Sequence, residues 1–167
     1  HARAYPRIQR DGRRRRGQCC MRDRIEPFRG LRLRAREPVI AAIEKFAVGV
    51  SFELALACDF RLATESSQMG LPEIGLGTMP GSGGTHRLAQ IVGIGRAKNT
   101  IMRGRRISAQ EAFDWGILAE RVPDGGLDTA IDDLAADLAS RPQIPLASGK
   151  RLLNTAGDAP RHVGLDL

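Results

Sequence analysis

The chain has 167 residues, enough for one folded domain and for two only if both are small. Hydrophobic residues at 42% and charged residues at 27% fit a globular protein, and only 4% are aromatic, so the core must come from Ala, Leu, Ile and Val. No apolar run approaches the roughly 18–20 residues that span a bilayer, so the sequence reads as having no membrane partner and as cytoplasmic. The net charge of +7 is unevenly placed: residues 1–37 hold 13 Arg against four acids, while the other 130 residues hold 13 basic and 15 acidic side chains. Three Cys, two of them adjacent (Cys19 and Cys20), form neither a disulfide framework nor a metal-ligand spacing and read as reduced thiols.

Residues 1–37 stand apart. Arg13 to Arg16 are consecutive and "RGLRLRAR" follows, with few apolar positions and no helical period. A block of like charge repels itself, so the segment is expected to be disordered or non-native. No apolar stretch follows the basic start as a secretory signal requires, and Ser is absent, unlike a mitochondrial presequence. The opening His reads as a chain that is not a complete translation product.

From Pro38 the pattern is that of a folded core, expected over 38–154 with a short tail over 155–167. "PVIAAI" (38–43) predicts a buried strand, and "EKFAVG" a turn or short extended passage. "VSFELALACD" (50–59) predicts a helix, with Phe52, Ala55, Leu56 and Asp59 at helical spacing. "FRLAT" (60–64) alternates like a strand, and "ESSQMG" leads to a short extended piece ending at Leu71-Pro72. Residues 73–84 carry five Gly and one Pro and predict a loop. Helices follow over Thr85 to Val92, Gly95 to Met102 and Ser108 to Trp115. In the third, Ser108 and Glu111 make a capping box and Gly116 ends the helix. Residues 117–122 predict a strand. Leu127 to Ser140 predicts an amphipathic helix with Leu127, Ile131, Leu134 and Leu138 on one face, and Pro145 to Asn154 the last helix. Strands alternating with helices make the fold class α/β.

Four features could carry chemistry, each beside a plainer reading. Glu53 lies in an apolar helix, where an acid near a helix start is commonly a dipole partner. Glu73 enters the Gly-rich loop and alone reads as a solvated acid. Gly49-Val50 opens a helix whose first N–H groups lack internal partners and can hold a developing oxyanion, as any strand-to-helix turn can. "PGSGGTHR" (80–87) looks like a phosphate cradle but lacks the Lys-Ser/Thr of a P-loop and the spacing of a dinucleotide fingerprint. His86 reads as a helix-surface residue. No residues have metal-pairing spacing.

Together these features carry more. "EPVIAAIEKFAVGVSFELALACD" (37–59), "LPEIGLGTMPGSGGTHRL" (71–88), "GRAK" (95–98) and "ISAQEAFDWGILAERVP" (107–123) resemble the enoyl-CoA hydratase/isomerase (crotonase) superfamily at matching offsets, over about Glu37 to Asn154. The resemblance implies a partial crotonase-like ββα spiral fold and a lyase that adds water across the 2,3 double bond of an enoyl-CoA thioester in fatty-acid β-oxidation or related acyl-CoA metabolism. Glu53 and Glu73, twenty residues apart, match the acids that share the water. Glu73 resembles the acid/base that moves the protons, Glu53 the partner that holds the water. Val50 matches the position whose N–H polarises the thioester carbonyl. Val48, Gly49, Pro72, Leu76 and Gly81 match positions that line the substrate and water site. The family implies an acyl-CoA partner, no cofactor beyond the coenzyme A of the substrate, no specific nucleic acid, and a homo-oligomer, trimer or hexamer.

The chain departs from the pattern. Gly49, Val50 and Ser51 stand where the family has three Gly, so the branched Val50 side chain is expected to restrict φ and crowd the thioester. Lys45 stands where the family has a Gly. Nothing in residues 1–37 matches the upstream segment that carries the second oxyanion donor, and the helices after Asn154 are lacking, so the chain reads as incomplete at both ends and as a poor hydratase. The alternatives are an enoyl-CoA isomerase or another CoA-thioester enzyme of the family, which often keep only the second acid, and a non-catalytic fragment whose Arg-rich segment binds a polyanion. Few aromatics accompany the arginines, which weakens base stacking.

Overall fold

The computed structural model describes residues 2–5, by backbone only, and residues 35–156. The elements are β1 (Ala2–Tyr5), β2 (Ile40–Ile43), β3 (Phe46–Val48), α1 (Val50–Ala57), β4 (Phe60–Thr64), β5 (Gln68–Gly70), a 3-10 turn (Glu73–Leu76), α2 (Gly84–Ile101), β6 (Arg106–Ser108), α3 (Ala109–Asp114), β7 (Glu120–Val122), α4 (Leu127–Ser140) and α5 (Gln143–Ala156). They build two small sheets, with strand orders β1-β2-β4-β7 and β3-β5-β6. β2, β4 and β7 run parallel and β1 antiparallel to β2. In the second sheet β3 and β5 are parallel, and β6 is antiparallel to β5.

β2 explains its own unbroken apolar run. Val39, Ala41 and Ile43 face one core with Phe52, Leu56, Met69, Leu88 and Ile107. Ile40 and Ala42 face a second with Leu62, Leu127, Ile131 and Leu138. Both faces of the strand are covered, so it cannot alternate with polar residues. α1 is apolar nearly all round and lies buried through Phe52, Ala55 and Leu56. Asp59, read as the polar end of that helix, lies beyond it, accepting the Val39 N–H at 2.7 Å and pairing with Lys150 Nζ at 2.7 Å. Lys150 also donates to the Glu37 carbonyl, so α5 is stapled across the entry to β2.

The two helices expected over 85–102 are both present within the span α2, separated at Gly93, where φ 79 and ψ 158 leave the helical region. The capping box of α3 is present in both directions. "EKFAVG" is a tight turn followed by the short extended β3, as read. Two expectations change. β6, which the sequence reading passed over, forms on three residues because Gln68, Met69 and Gly70 supply its partners. The strand expected over 117–122 begins at Glu120, while Ile117 and Leu118 are buried in the approach to it. Within the segment expected to be disordered or non-native, Ala2–Tyr5 form β1. Residues 6–34 and the tail after Ala156 lie outside the described residues, and so does the polyanion reading of the Arg run.

Candidate active site

The N-terminal end of α1 is where the sequence candidates meet. β3 ends at Val48, Gly49 turns the chain, and α1 begins at Val50. Gly49 has φ 65 and ψ −134, a conformation only Gly holds without strain. A Cβ there would also lie 3.3 Å from Glu73 Oε1. The Gly49 carbonyl accepts the N–H groups of Phe52 and Glu53, and its own N–H donates to Gly70. By position in the helix, the Val50 and Ser51 N–H groups have no acceptor within α1, and no side chain caps that end.

Glu53 projects from the first turn of α1 and is 1% exposed. Its Oε1 accepts the N–H groups of Ser82 at 2.9 Å and Gly84 at 2.8 Å. Glu53 is therefore a dipole partner, though of the incoming α2 rather than of its own helix. The Gly-rich loop is an anion cradle after all, and the anion it holds is a side chain of this protein. A Cβ at Gly84 would lie 2.7 Å from Glu53 Cγ, so glycine there is a condition of the contact. The sequence reading singled out 80–87 as a Gly-rich loop opening a helix and set it aside as a nucleotide site, without naming Ser82 and Gly84 as donors to a side chain.

Glu73 opens the 3-10 turn and is partly buried. Its Oε1 lies against Gly49, and its Oε2 is buried with no hydrogen-bond partner among the described residues. An uncommitted carboxylate oxygen can accept a hydrogen bond from a water or a ligand. The structure thus brings both acids to one end of α1 and treats them differently. Glu53 is fixed by two amides, and Glu73 keeps one oxygen uncommitted.

The remaining candidates border this point unevenly. Val48 is partly buried, and Pro72 accepts the Gly75 N–H at 2.9 Å. Val50 is 47% exposed, and its φ is not positive, so its branched side chain strains no backbone there. Leu76 stands out from the surface at 82% exposure rather than lining an enclosed wall, and Gly81 is exposed too. The second oxyanion donor implied upstream falls outside the described residues. His86 is exposed on α2.

An open cleft of about 630 Å³ lies at the other end of α1, lined among others by Cys58, Asp59, Arg61, His86 and Lys150. Its cations serve the fold. Arg61 donates to the carbonyls of Ala55, Cys58 and Ile117, and Lys150 is the staple described above. Burial pushes the Cys58 thiol up to about 11, so it stays protonated at neutral pH. Among the described residues no group of three or more His, Cys, Asp or Glu side chains is placed to hold a metal ion, and no helix is long and apolar enough to cross a membrane.

Residues 11–165 match the model of the enoyl-CoA hydratase/isomerase family. That match begins inside the Arg-rich segment and runs past Asn154. The chain is 38% identical over 127 residues to the short-chain-enoyl-CoA hydratase of Clostridium acetobutylicum, covering 76% of this chain and 48% of that protein. It is 40% identical over 118 residues to the crotonyl-CoA hydratase of Syntrophomonas wolfei, covering 71% and 45%. Among solved structures, an enoyl-CoA hydratase subunit of Geobacillus kaustophilus superposes with a TM-score of 0.77 at 39% identity, covering 78% of this chain and 51% of that one. The chain spans about half the length of the relatives it matches.

Proposed function

Since the chain belongs to the enoyl-CoA hydratase/isomerase (crotonase) family, we propose that the pair Glu53 and Glu73 hydrates the 2,3 double bond of an enoyl-CoA thioester. The observation that carries this reading is the buried Oε2 of Glu73, without a hydrogen-bond partner among the described residues, beside a helix start that no side chain caps. A carboxylate that holds a water needs a free oxygen, and a thioester carbonyl that gains charge needs a fixed donor.

In this reading Glu73 takes a proton from the water as its oxygen attacks carbon 3, and the same carboxyl then delivers a proton to carbon 2. The elements of water are added and none is left over. Glu53, immobilised by the Ser82 and Gly84 amides, has Oε2 left to hold that water in place. The Val50 N–H faces the thioester oxygen as enolate character develops. Ile74, Leu76 and Met79, all exposed, provide apolar surface next to Glu73 for an acyl chain. A Thermobifida fusca structure assigned to the enoyl-CoA hydratases and solved with acetoacetyl-CoA, 35% identical to this chain with a TM-score of 0.73, supports an acyl-CoA as the ligand class. Retention of both acids favours hydration over isomerisation. A cytoplasmic setting, from the reading of the cysteines as reduced thiols, and an assembly of three or six copies, from the family resemblance, belong to the same proposal; sedimentation reads the assembly.

The test is hydration of crotonyl-CoA by the chain and by Glu53→Gln and Glu73→Gln. General acid–base groups contribute roughly 10²–10⁴-fold, so each variant should lose at least about a hundredfold. Turnover near that of the parent in either variant removes that residue from the mechanism.

A further inference from the structure

Gly49 gives the turn its shape, and the same property leaves the turn soft. It has no side chain with which to cap α1, and its backbone is the freest of any residue. Something else must hold the segment that carries Val50. β5 does so on one side, where the Gly70 carbonyl accepts the Gly49 N–H at 2.9 Å. On the other side β3 is the edge of its sheet, so no described strand pairs with Val48 there. Ser51 fills that place. Its Oγ accepts the Val48 N–H at 2.8 Å and donates to the Val48 carbonyl at 2.9 Å. One hydroxyl thus satisfies both main-chain groups of the residue before the turn, as a neighbouring strand would. It does this while leaving the Val50 N–H uncommitted.

We propose that Ser51 is a positioning residue for the oxyanion donor, its hydroxyl locking Val48 so that the Gly49 turn aims the Val50 N–H at the thioester oxygen. The proposal deepens the hydratase reading and rests on it. Donor catalysis depends on orientation. Loss of a donor costs on the order of 10²–10³ in rate, and a donor kept but loosened costs less.

The experiment compares the full chain with Ser51→Ala and Ser51→Thr. Three quantities are read: kcat and KM for crotonyl-CoA, the ultraviolet absorbance of the enolate of bound acetoacetyl-CoA, and hydrogen exchange at the Val48 amide. Ser51→Ala should lower kcat about tenfold, below the cost of an absent donor, with KM little changed. It should weaken the enolate band and speed Val48 exchange. Ser51→Thr keeps the hydroxyl and should restore all three. If Ser51→Ala loses thermal stability but keeps the parent's kcat and enolate band, the residue only stabilises the fold and the proposal is wrong, while the hydratase reading stands. If the parent neither turns over crotonyl-CoA nor binds acetoacetyl-CoA, the hydratase reading falls and this assignment falls with it.

Discussion

Two junctions in the same small sheet lead from a strand into a helix, and they are finished in opposite ways. β6 passes into α3 through Ser108. Its Oγ accepts the Glu111 N–H at 3.1 Å, the Glu111 carboxylate accepts the Ser108 N–H at 3.1 Å, and the Ala109 N–H goes to the Ser67 carbonyl. The Ser108, Ala109 and Glu111 N–H groups are used internally. β3 passes into α1 through Gly49, with no side-chain cap, and the hydroxyl of Ser51 turns back to the strand instead of forward to the helix. Closing a helix start with a capping box stabilises it. Leaving one open forgoes that stability and keeps donors for a ligand. The junction flanked by Glu53 and Glu73 is the open one.

The comparison is broken most severely by giving the open junction a side chain. Gly49→Ala places a methyl group in a left-handed backbone, 3.3 Å from Glu73 Oε1. The turn must reshape and carry the Val50 N–H with it. Hydration should fall by about 10²-fold, the loss associated with one misplaced oxyanion donor, and stability by about 1–3 kcal/mol. Steady-state kinetics together with thermal melting check both. An active Gly49→Ala chain would mean that the donor lies elsewhere.

How much of this was legible follows from where each signal resides. The closed junction was readable because a capping box is a local code: Ser108 and Glu111 find each other three residues apart. The two acids were readable only as members of a long pattern, since neither Glu53 in an apolar helix nor Glu73 before a Gly-rich loop is unusual alone. The amides that hold Glu53 lie 29 and 31 residues further on, at Ser82 and Gly84. Nothing local announces that a loop will fold back onto a carboxylate. β6 was missed for the same reason, since its three residues become a strand only against β5. Ser51 was read as a departure from glycine, and its partner proved to be the backbone three residues before it.

The closed junction should answer to stability and leave activity alone. Ser108→Ala removes one half of the box and should cost about 1 kcal/mol, with crotonyl-CoA turnover unchanged. The other half of the box, the Glu111 carboxylate on the Ser108 N–H, should depend on pH. The Arg105 guanidinium, followed by the Ser108 contacts, holds the Glu111 carboxyl below its usual range. A carboxyl lowered in the folded state stabilises the fold above its unfolded-state value, about 4.3, and that contribution is lost as pH falls through the folded-state value beneath it. Melting of the parent and of Glu111→Gln should therefore differ at neutral pH and converge below about pH 4, while the Ser108→Ala deficit, an amide-to-hydroxyl bond, persists into acid. A Glu111→Gln gap that stays constant into acid would show that the carboxylate takes no part.

The smallest effect is expected just upstream of the open junction, at Lys45. The Phe46 N–H donates to the Glu44 carbonyl at 2.9 Å, closing a three-residue turn with Lys45 at its centre and φ 68. Among the described residues it is the non-glycine with positive φ. Such a turn is rare and strained, and a left-handed conformation costs an L residue about 1–2 kcal/mol. The turn persists because the Lys45 carbonyl accepts the Gln68 N–H at 2.7 Å and fixes the start of β3 against β5. Lys45→Gly relieves the strain, but glycine loses more conformational freedom on folding, by roughly 0.5–1 kcal/mol. The net should be a gain of about 0.5–1 kcal/mol, seen as a rise in Tm of about 1–4 °C at this chain length. Turnover should stay the same, because the Val48 lock and Gly49 are untouched. A fall in Tm would place Lys45's contribution in its side chain, and a change in kcat would show that strain at this turn reaches the helix start at Val50.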